Sequence, residues 1–229
     1  MLQYADRPSH AGRVSHGNPT ESLRRSSTLV AEAHPPLDLL TRWLRTSPRG
    51  RVLDLGAGEG EAAVWLARQG FLVDAVECDP RAQAILRRAR TGLTIVVHPL
   101  DLREFPFIPE TYGIILALAV LHFLRPSELW PLADRLSDCL LPGGLLMAEA
   151  LTIDDPEAGV LRATPLPEVE PNTFLFDPPQ GVIHFFEPQE LPRVFAGLEV
   201  LEYEESRRAA PESDLGYRSG ATLVARRQT

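Results

Sequence analysis

Lysine is absent from this sequence: all 23 basic residues among its 229 are arginine. Without a lysine amine the chain cannot form the Schiff base of a pyridoxal-type enzyme, nor complete a P-loop whose phosphate cradle ends in lysine. Cysteine is scarce as well; Cys78 and Cys139 are too few for a disulfide framework. No apolar run approaches the roughly 18 residues of a membrane span, and the longest uncharged stretch, Tyr112 to Leu124, reads as a buried strand entering a loop. Positive charge is outnumbered, 23 basic against 31 acidic side chains with a net charge of -8. That balance argues against a protein that binds nucleic acid by covering phosphates. The first 19 residues hold charges and prolines where a secretory leader needs an apolar core, so a cytoplasmic chain is expected. No histidine, cysteine and carboxylate spacing suggests a metal site.

What is present has a clear order. Residues 1–34 are polar, rich in Ser, His, Arg and Pro, without a sustained period, and read as a flexible arm or lid. A helix over about 36–46 follows, its apolar face made by Leu37, Leu39, Leu40, Trp43 and Leu44. From Arg51 strands and helices alternate. Strands are expected over 52–55, 71–77, 93–98, 112–119 and 145–150, with helices after Gly60, over 80–90 and over 126–141. Near-continuous apolar strands alternating with helices predict a doubly wound, Rossmann-like α/β domain over residues 35–229, its sheet mostly parallel. The proline-rich stretch 152–182 breaks the rhythm and reads as an insertion over the carboxyl edge of the sheet. A short helix near 188–195 and an antiparallel strand pair, 198–204 with 221–226, close the chain.

The most informative residues are Val52-Leu53-Asp54-Leu55-Gly56-Ala57-Gly58-Glu59-Gly60. A strand that ends in three alternate glycines and opens a helix lets the backbone turn sharply and approach a ligand, at the carboxyl edge where doubly wound sheets bind theirs. A dinucleotide fingerprint would place its third glycine where Glu61 stands, and Glu59 and Glu61 would repel a diphosphate. The loop therefore favours a nucleoside carrying positive charge over NAD. Glu77 ends the second strand, 19 residues after Gly58, where an acid accepts hydrogen bonds from ribose hydroxyls.

Four segments, LDLGAGEG (53–60), VDAVECDP (73–80), HPLDLREFPF (98–107) and LLPGGLLMAEA (140–150), occur in order and at spacings that resemble the class I S-adenosylmethionine-dependent methyltransferases. The resemblance implies S-adenosylmethionine as cofactor and S-adenosylhomocysteine as product. It places Gly56, Gly58 and Gly60, with Asp54 and Ala57 in the same loop, around the methionine part. Glu77 would hold the ribose, Asp101 the adenine amino group, and Leu102 would border the base with Cys78 nearby. Leu118 and Ala119 would flank the methionine end. One departure stands out: where the family usually carries an acid after the aromatic that opens the fourth strand, Tyr112 is followed by Gly113.

The tail, from His184-Phe185-Phe186-Glu187-Pro188-Gln189-Glu190-Leu191 through Leu201-Glu202-Tyr203-Glu204-Glu205, is similar to that of the tellurite-resistance methyltransferase group, and Val224-Ala225-Arg226-Arg227 matches its closing basic pair. That resemblance implies a small-molecule acceptor such as a chalcogen oxyanion, and a thiol is also expected because a soft, anionic sulfur nucleophile needs no base. A monomer or homodimer is expected, and the charge balance and short apolar runs speak for neither a nucleic acid nor a membrane partner. The group's histidine-arginine pair between the last two strands is not reproduced. His122, just past the fourth strand, and His184 are the candidate catalytic residues, since an imidazole can serve an oxygen or nitrogen nucleophile near neutral pH. Arg207, Arg208 and Arg218 are the candidate anion site, because guanidinium forks suit oxyanions. A non-catalytic S-adenosylmethionine-binding regulator is the alternative from another class, and an NAD-dependent oxidoreductase is disfavoured by the glycine spacing.

Overall fold

A computed structural model describes residues 37–165, 167–176, 181–211, 213 and 215–229; the arm expected over 1–34 lies outside the described residues. In chain order the elements are α1 (Leu37–Leu44), β1 (Arg51–Leu55), α2 (Glu61–Arg68), β2 (Val73–Val76), α3 (Pro80–Ala89), β3 (Ile95–His98), β4 (Tyr112–Leu118), α4 (Pro126–Cys139) and β5 (Leu140–Leu151). The later part adds α5 (Pro156–Arg162), β6 (Glu168–Glu170), β7 (Thr173–Phe176), β8 (Gly181–His184), α6 (Glu190–Val194), β9 (Glu199–Ala209) and β10 (Tyr217–Arg226). Seven strands form one sheet in the order β3-β2-β1-β4-β5-β10-β9. The first five are parallel, as their apolar runs predict. β10 pairs antiparallel with both neighbours, so of the expected terminal pair only β10 is reversed and β9 runs with the other five.

The sheet separates two apolar layers. Leu53, Leu55, Ile115, Leu146 and Ala148 face α4 and α6, while Val52, Ile114, Leu116, Leu145 and Met147 face α1 and α2. Alternate residues of a strand point to opposite faces, which is why neighbouring positions divide between the layers. At the sheet's outer edge β9 is rich in exposed charge, which deters edge-to-edge pairing. Arg42 and the Trp43 indole both bond Glu202 there and tie α1 to the sheet.

Three expectations change. β5 starts at Leu140 rather than after the Pro-Gly-Gly turn; the register jumps between Tyr112↔Leu140 and Ile114↔Leu145, so residues 141–144 bulge from the ladder around Gly143 at φ 77°. The stretch 152–182 is not irregular: it holds α5 and contributes most of a three-stranded sheet, β6-β7-β8, over a cluster of Leu151, Ala158, Leu161, Phe174, Ile183 and Phe185. Strands of three or four residues are too short to show a period. Gly113 has a packing reason, since a Cβ there would lie 2.4 Å from the Pro48 carbonyl oxygen. It sits at the start of β4, the sheet edge opposite the glycine loop, and its departure from the family pattern leaves the ligand side untouched.

Candidate functional site

The loop after β1 has the geometry that three glycines permit. Gly56, Gly58 and Gly60 adopt φ of 66°, 54° and 91°, the left-handed region that costs other residues about 1–2 kcal/mol. Their surroundings differ. A Cβ at Gly56 would meet Val120 at 2.5 Å and one at Gly60 would meet Leu86 at 2.2 Å, whereas a Cβ at Gly58 would find nothing within 4 Å among the described residues. Two glycines serve close packing and the third faces open space at the carboxyl edge. Ala57 is half-buried between them.

Glu77 directly follows β2, one residue past the strand expected to end on it, and is 9% exposed. Its two oxygens accept the Gly58 N–H at 2.8 Å and the Asp79 N–H at 2.7 Å, which fixes the carboxylate beside the loop and leaves lone pairs for a diol. Asp54 lies beneath the loop, 3% exposed, with Oδ2 unpartnered. Burial first, and then the charge of Glu77, push its carboxyl up to about 7, against a hydrogen bond from the Ala63 amide. A buried acid with an open acceptor is suited to a cationic ligand.

On the neighbouring loop Asp101 caps a 3-10 turn over Leu102–Glu104 and is held by Arg103 at 2.8 Å and 3.0 Å. Leu102 packs into the core with Phe105. Cys78 is exposed, and desolvation together with the Glu77 and Asp101 charges raises its thiol. Leu118 ends β4, and Ala119 turns the chain at φ 56°, its N–H donating to the Glu149 carbonyl at 3.0 Å.

The two histidines are placed very differently. His122, in a 3-10 turn over Leu121–Phe123, is fully buried and neither ring nitrogen has a partner among the described residues. Burial, then the nearby charges of Arg218 and His184, lower it to about 3. It is a neutral ring at physiological pH and a weak base. His184 is instead fully engaged, with Nδ1 against the Thr173 hydroxyl at 2.9 Å and Nε2 against Glu190 at 3.2 Å. Those contacts join β7, β8 and α6.

Protonation of His122 is therefore expected to oppose folding. With a folded value near 3 against an ordinary 6.5, its contribution is complete above pH 6.5 and is lost as pH falls from there toward 3, a span of about 4–5 kcal/mol. The melting temperature of His122→Leu relative to the parent should rise as pH falls from 7 to 4, the variant losing less; a difference that stays constant over that range would refute the placement.

The three arginines do not converge. Arg208 and Arg218 are register partners on one face, while adjacent Arg207 points to the other and stacks over Tyr217. Arg208 pairs with Glu149 at 2.8 Å, and Arg218 with Asp155 and Glu157 at 3.0 Å each. Glu149, Asp155 and Glu157 lie outside the glycine-loop motifs, so spacing does not single them out; the one visible signal is Glu149, inside the fifth-strand segment 140–150.

A doubly wound sheet with a glycine turn, an acid just past the second strand and a buried acid beneath is an α/β domain with its open, acid-lined turn at the carboxyl edge. Its family is a methyltransferase one: a family model described as a methyltransferase domain matches residues 30–203, and the chain belongs to that family. Among curated proteins it is 31% identical over 112 residues to the uncharacterized methyltransferase YodH of Bacillus subtilis, covering 48% of this chain and 47% of that one. It is 26% identical over 151 residues to the demethylmenaquinone methyltransferase of Tropheryma whipplei, 60% of this chain and 62% of that one. The chain spans about half the length of the first of these relatives. Among solved structures, TehB from Haemophilus influenzae superposes with a TM-score of 0.65 at 23% identity, over 90% of this chain and 67% of that one. The 1,6-didemethyltoxoflavin-N1-methyltransferase of Burkholderia thailandensis, solved with S-adenosylhomocysteine, does so at 0.63 and 18% identity, over 98% and 94%. The doubly wound fold read from the motifs is shown, and the family is one of methyltransferases, for which the motifs lead one to expect S-adenosylmethionine as cofactor. The residues fit it: an orphaned buried oxygen on Asp54 for a cation, a glycine facing open space, and spare lone pairs on Glu77.

Proposed function

We propose that this chain transfers the methyl group of S-adenosylmethionine to a small-molecule acceptor, a thiol rather than a chalcogen oxyanion. The observation that carries the choice is that Arg207, Arg208 and Arg218, the cations an oxyanion would need, are spread over two faces: Arg208 and Arg218 are paired with carboxylates, and Arg207, on the other face, stacks over Tyr217. A thiol needs no guanidinium fork. The likeness to TehB supports the fold and not the acceptor.

When bound, the cofactor supplies an activated methyl on a cationic sulfur. The chain's own work is to bind, orient and keep out water. Glu77 holds the ribose and Asp101 the base edge, and the Gly58 turn admits the ligand backbone to backbone. Asp54 balances the positive charge. Leu118 and Ala119 shape the methyl end, and the insertion, whose β8 packs on the turn over Leu121–Phe123, covers it.

Isothermal titration with S-adenosylhomocysteine tests the cofactor reading, and counting transfer from methyl-tritiated S-adenosylmethionine to 2-mercaptoethanol, selenite and tellurite tests the acceptor. Binding plus transfer to the thiol alone is the expected result. Glu77→Ala should weaken binding by 10-fold or more, on the order of 1.5–3 kcal/mol for hydrogen bonds to a charged group; unchanged affinity would mean the ribose lies elsewhere.

A further inference from the structure

On the thiol reading just given, the structure assigns a proton acceptor that the motifs do not name. We propose that Glu149, tethered by Arg208, takes the proton from an acceptor that arrives as a neutral thiol.

The placement comes from the sheet. Register pairs Asp54 with Leu116 and Leu118 with Glu149, and paired residues of parallel strands project from the same face. Asp54, Leu118 and Glu149 thus step across one face of β1, β4 and β5 at the carboxyl edge, two strand spacings or about 10 Å from end to end. The nucleoside acids Glu77 and Asp101 follow β2 and β3 on one side, so the rest of a ligand lying along this edge extends over β1 to β4. An acceptor seated beyond its far end would meet Glu149, one strand further on. The carboxylate passes over Gly220, where an added Cβ would stand 4.0 Å from Oε1, and reaches Arg208 on β9.

Several groups face this corner. Arg208 is bound to Glu149, and Arg218 to Asp155 and Glu157. The neutral, wholly buried His122 offers two unpartnered ring nitrogens and lies close enough to Arg218 to feel its charge. Two guanidinium groups against three carboxylates leave a net negative corner opposite a cationic cofactor. Glu149 is mostly buried, and desolvation raises its carboxyl despite the Arg208 contact. It is the base the corner supplies, since His122 holds a proton too weakly.

The step balances. A sulfur lone pair of the thiol forms the bond to the methyl carbon, and the carbon–sulfonium bond breaks with its pair passing to the cofactor sulfur. The thiol proton moves to a Glu149 oxygen. A cation and a carboxylate become a neutral thioether and a neutral acid, and the Glu149 proton leaves to solvent after product departs.

The variants are Glu149→Gln, which keeps an acceptor for Arg208, and Arg208→Gln. With 2-mercaptoethanol as probe, Glu149→Gln should lose about 100-fold in rate at pH 7, in the range of a single general base, and regain most of it above the thiol's own pKa, where thiolate needs no base. S-adenosylhomocysteine affinity should not change. Carbon-detected NMR of the glutamate-labelled, ligand-free protein should place the Glu149 titration above the ordinary glutamate range, and higher still in Arg208→Gln. An equal loss at all pH values, or a Glu149 carboxyl that titrates normally and ignores Arg208→Gln, overturns the proposal. Wild-type protein that binds S-adenosylhomocysteine but leaves the thiol unmethylated overturns both this role and the thiol reading; absence of nucleoside binding means instead that the cofactor reading has failed.

Discussion

S-adenosylmethionine should bind more tightly as pH rises from 5 to 7, by up to about tenfold per unit, and the slope should vanish in Asp54→Asn. The buried carboxyl has an unpartnered Oδ2, and burial together with Glu77 lifts it to about 7. A cationic ligand stabilises the ionised form, so binding below pH 7 must release the Asp54 proton. Stability runs the other way. Asp54 titrates above its ordinary 3.8 when folded, so its contribution to the ligand-free fold is complete below about pH 4 and is lost as pH rises toward 7, a span of about 4 kcal/mol. Asp54→Asn is therefore expected to melt higher than the parent at pH 7.5 without cofactor and to bind cofactor more weakly. Titration calorimetry in buffers of different ionisation enthalpy counts the released proton. A wild-type affinity independent of pH, matched by the variant, would remove Asp54 from the cofactor site.

The second large effect separates the three loop glycines. Gly60→Ala drives a methyl to 2.2 Å from the Leu86 side chain at φ 91°; left-handed strain and overpacking together cost about 3 kcal/mol. For a chain of this size that is roughly 10 °C in melting temperature. Gly56→Ala, against Val120 at 2.5 Å, should behave similarly. Gly58→Ala meets no neighbour and pays only about 1 kcal/mol of backbone strain, yet its methyl enters the space a ligand backbone would occupy. It should fold and lose S-adenosylhomocysteine binding by an order of magnitude or more, whereas Gly60→Ala should lose stability first. Thermal melts with and without the nucleoside distinguish the two: the Gly58 variant loses the ligand-induced rise. If Gly58→Ala retains that rise in full, the open space above the loop is not the cofactor's.

Local signals in the chain carried most of the architecture. β4 is an uncharged apolar run and β1 and β2 are apolar but for Arg51, Asp54 and Asp74, because both faces are covered, and glycine or proline marks the ends of α2 and the start of α3 and α4. The short strands β6 to β8 escaped because three or four residues hold no readable period. At the site, Glu77 was legible from its distance to Gly58, but its double hold by Gly58 and Asp79 was not, since a hydrogen bond between loops leaves no trace in composition. The arginines are instructive: once β9 is known to continue to Ala209, the period of two sends Arg207 and Arg208 to opposite faces, but the hydrophobic alternation that marks a strand fades before them.

By itself the sequence determined the lysine-free chemistry, the doubly wound order of elements and the positions of Asp54, the glycine turn and Glu77, all of which follow from residue type and spacing along one segment. Only the tertiary structure decided which charges neutralise one another. Glu149 meets Arg208 across 59 residues, Arg218 meets Asp155 and Glu157, and His122 is left buried and neutral beside them. Strand register sets those partnerships, and the desolvation that sets each group's charge depends on what the whole fold packs around it.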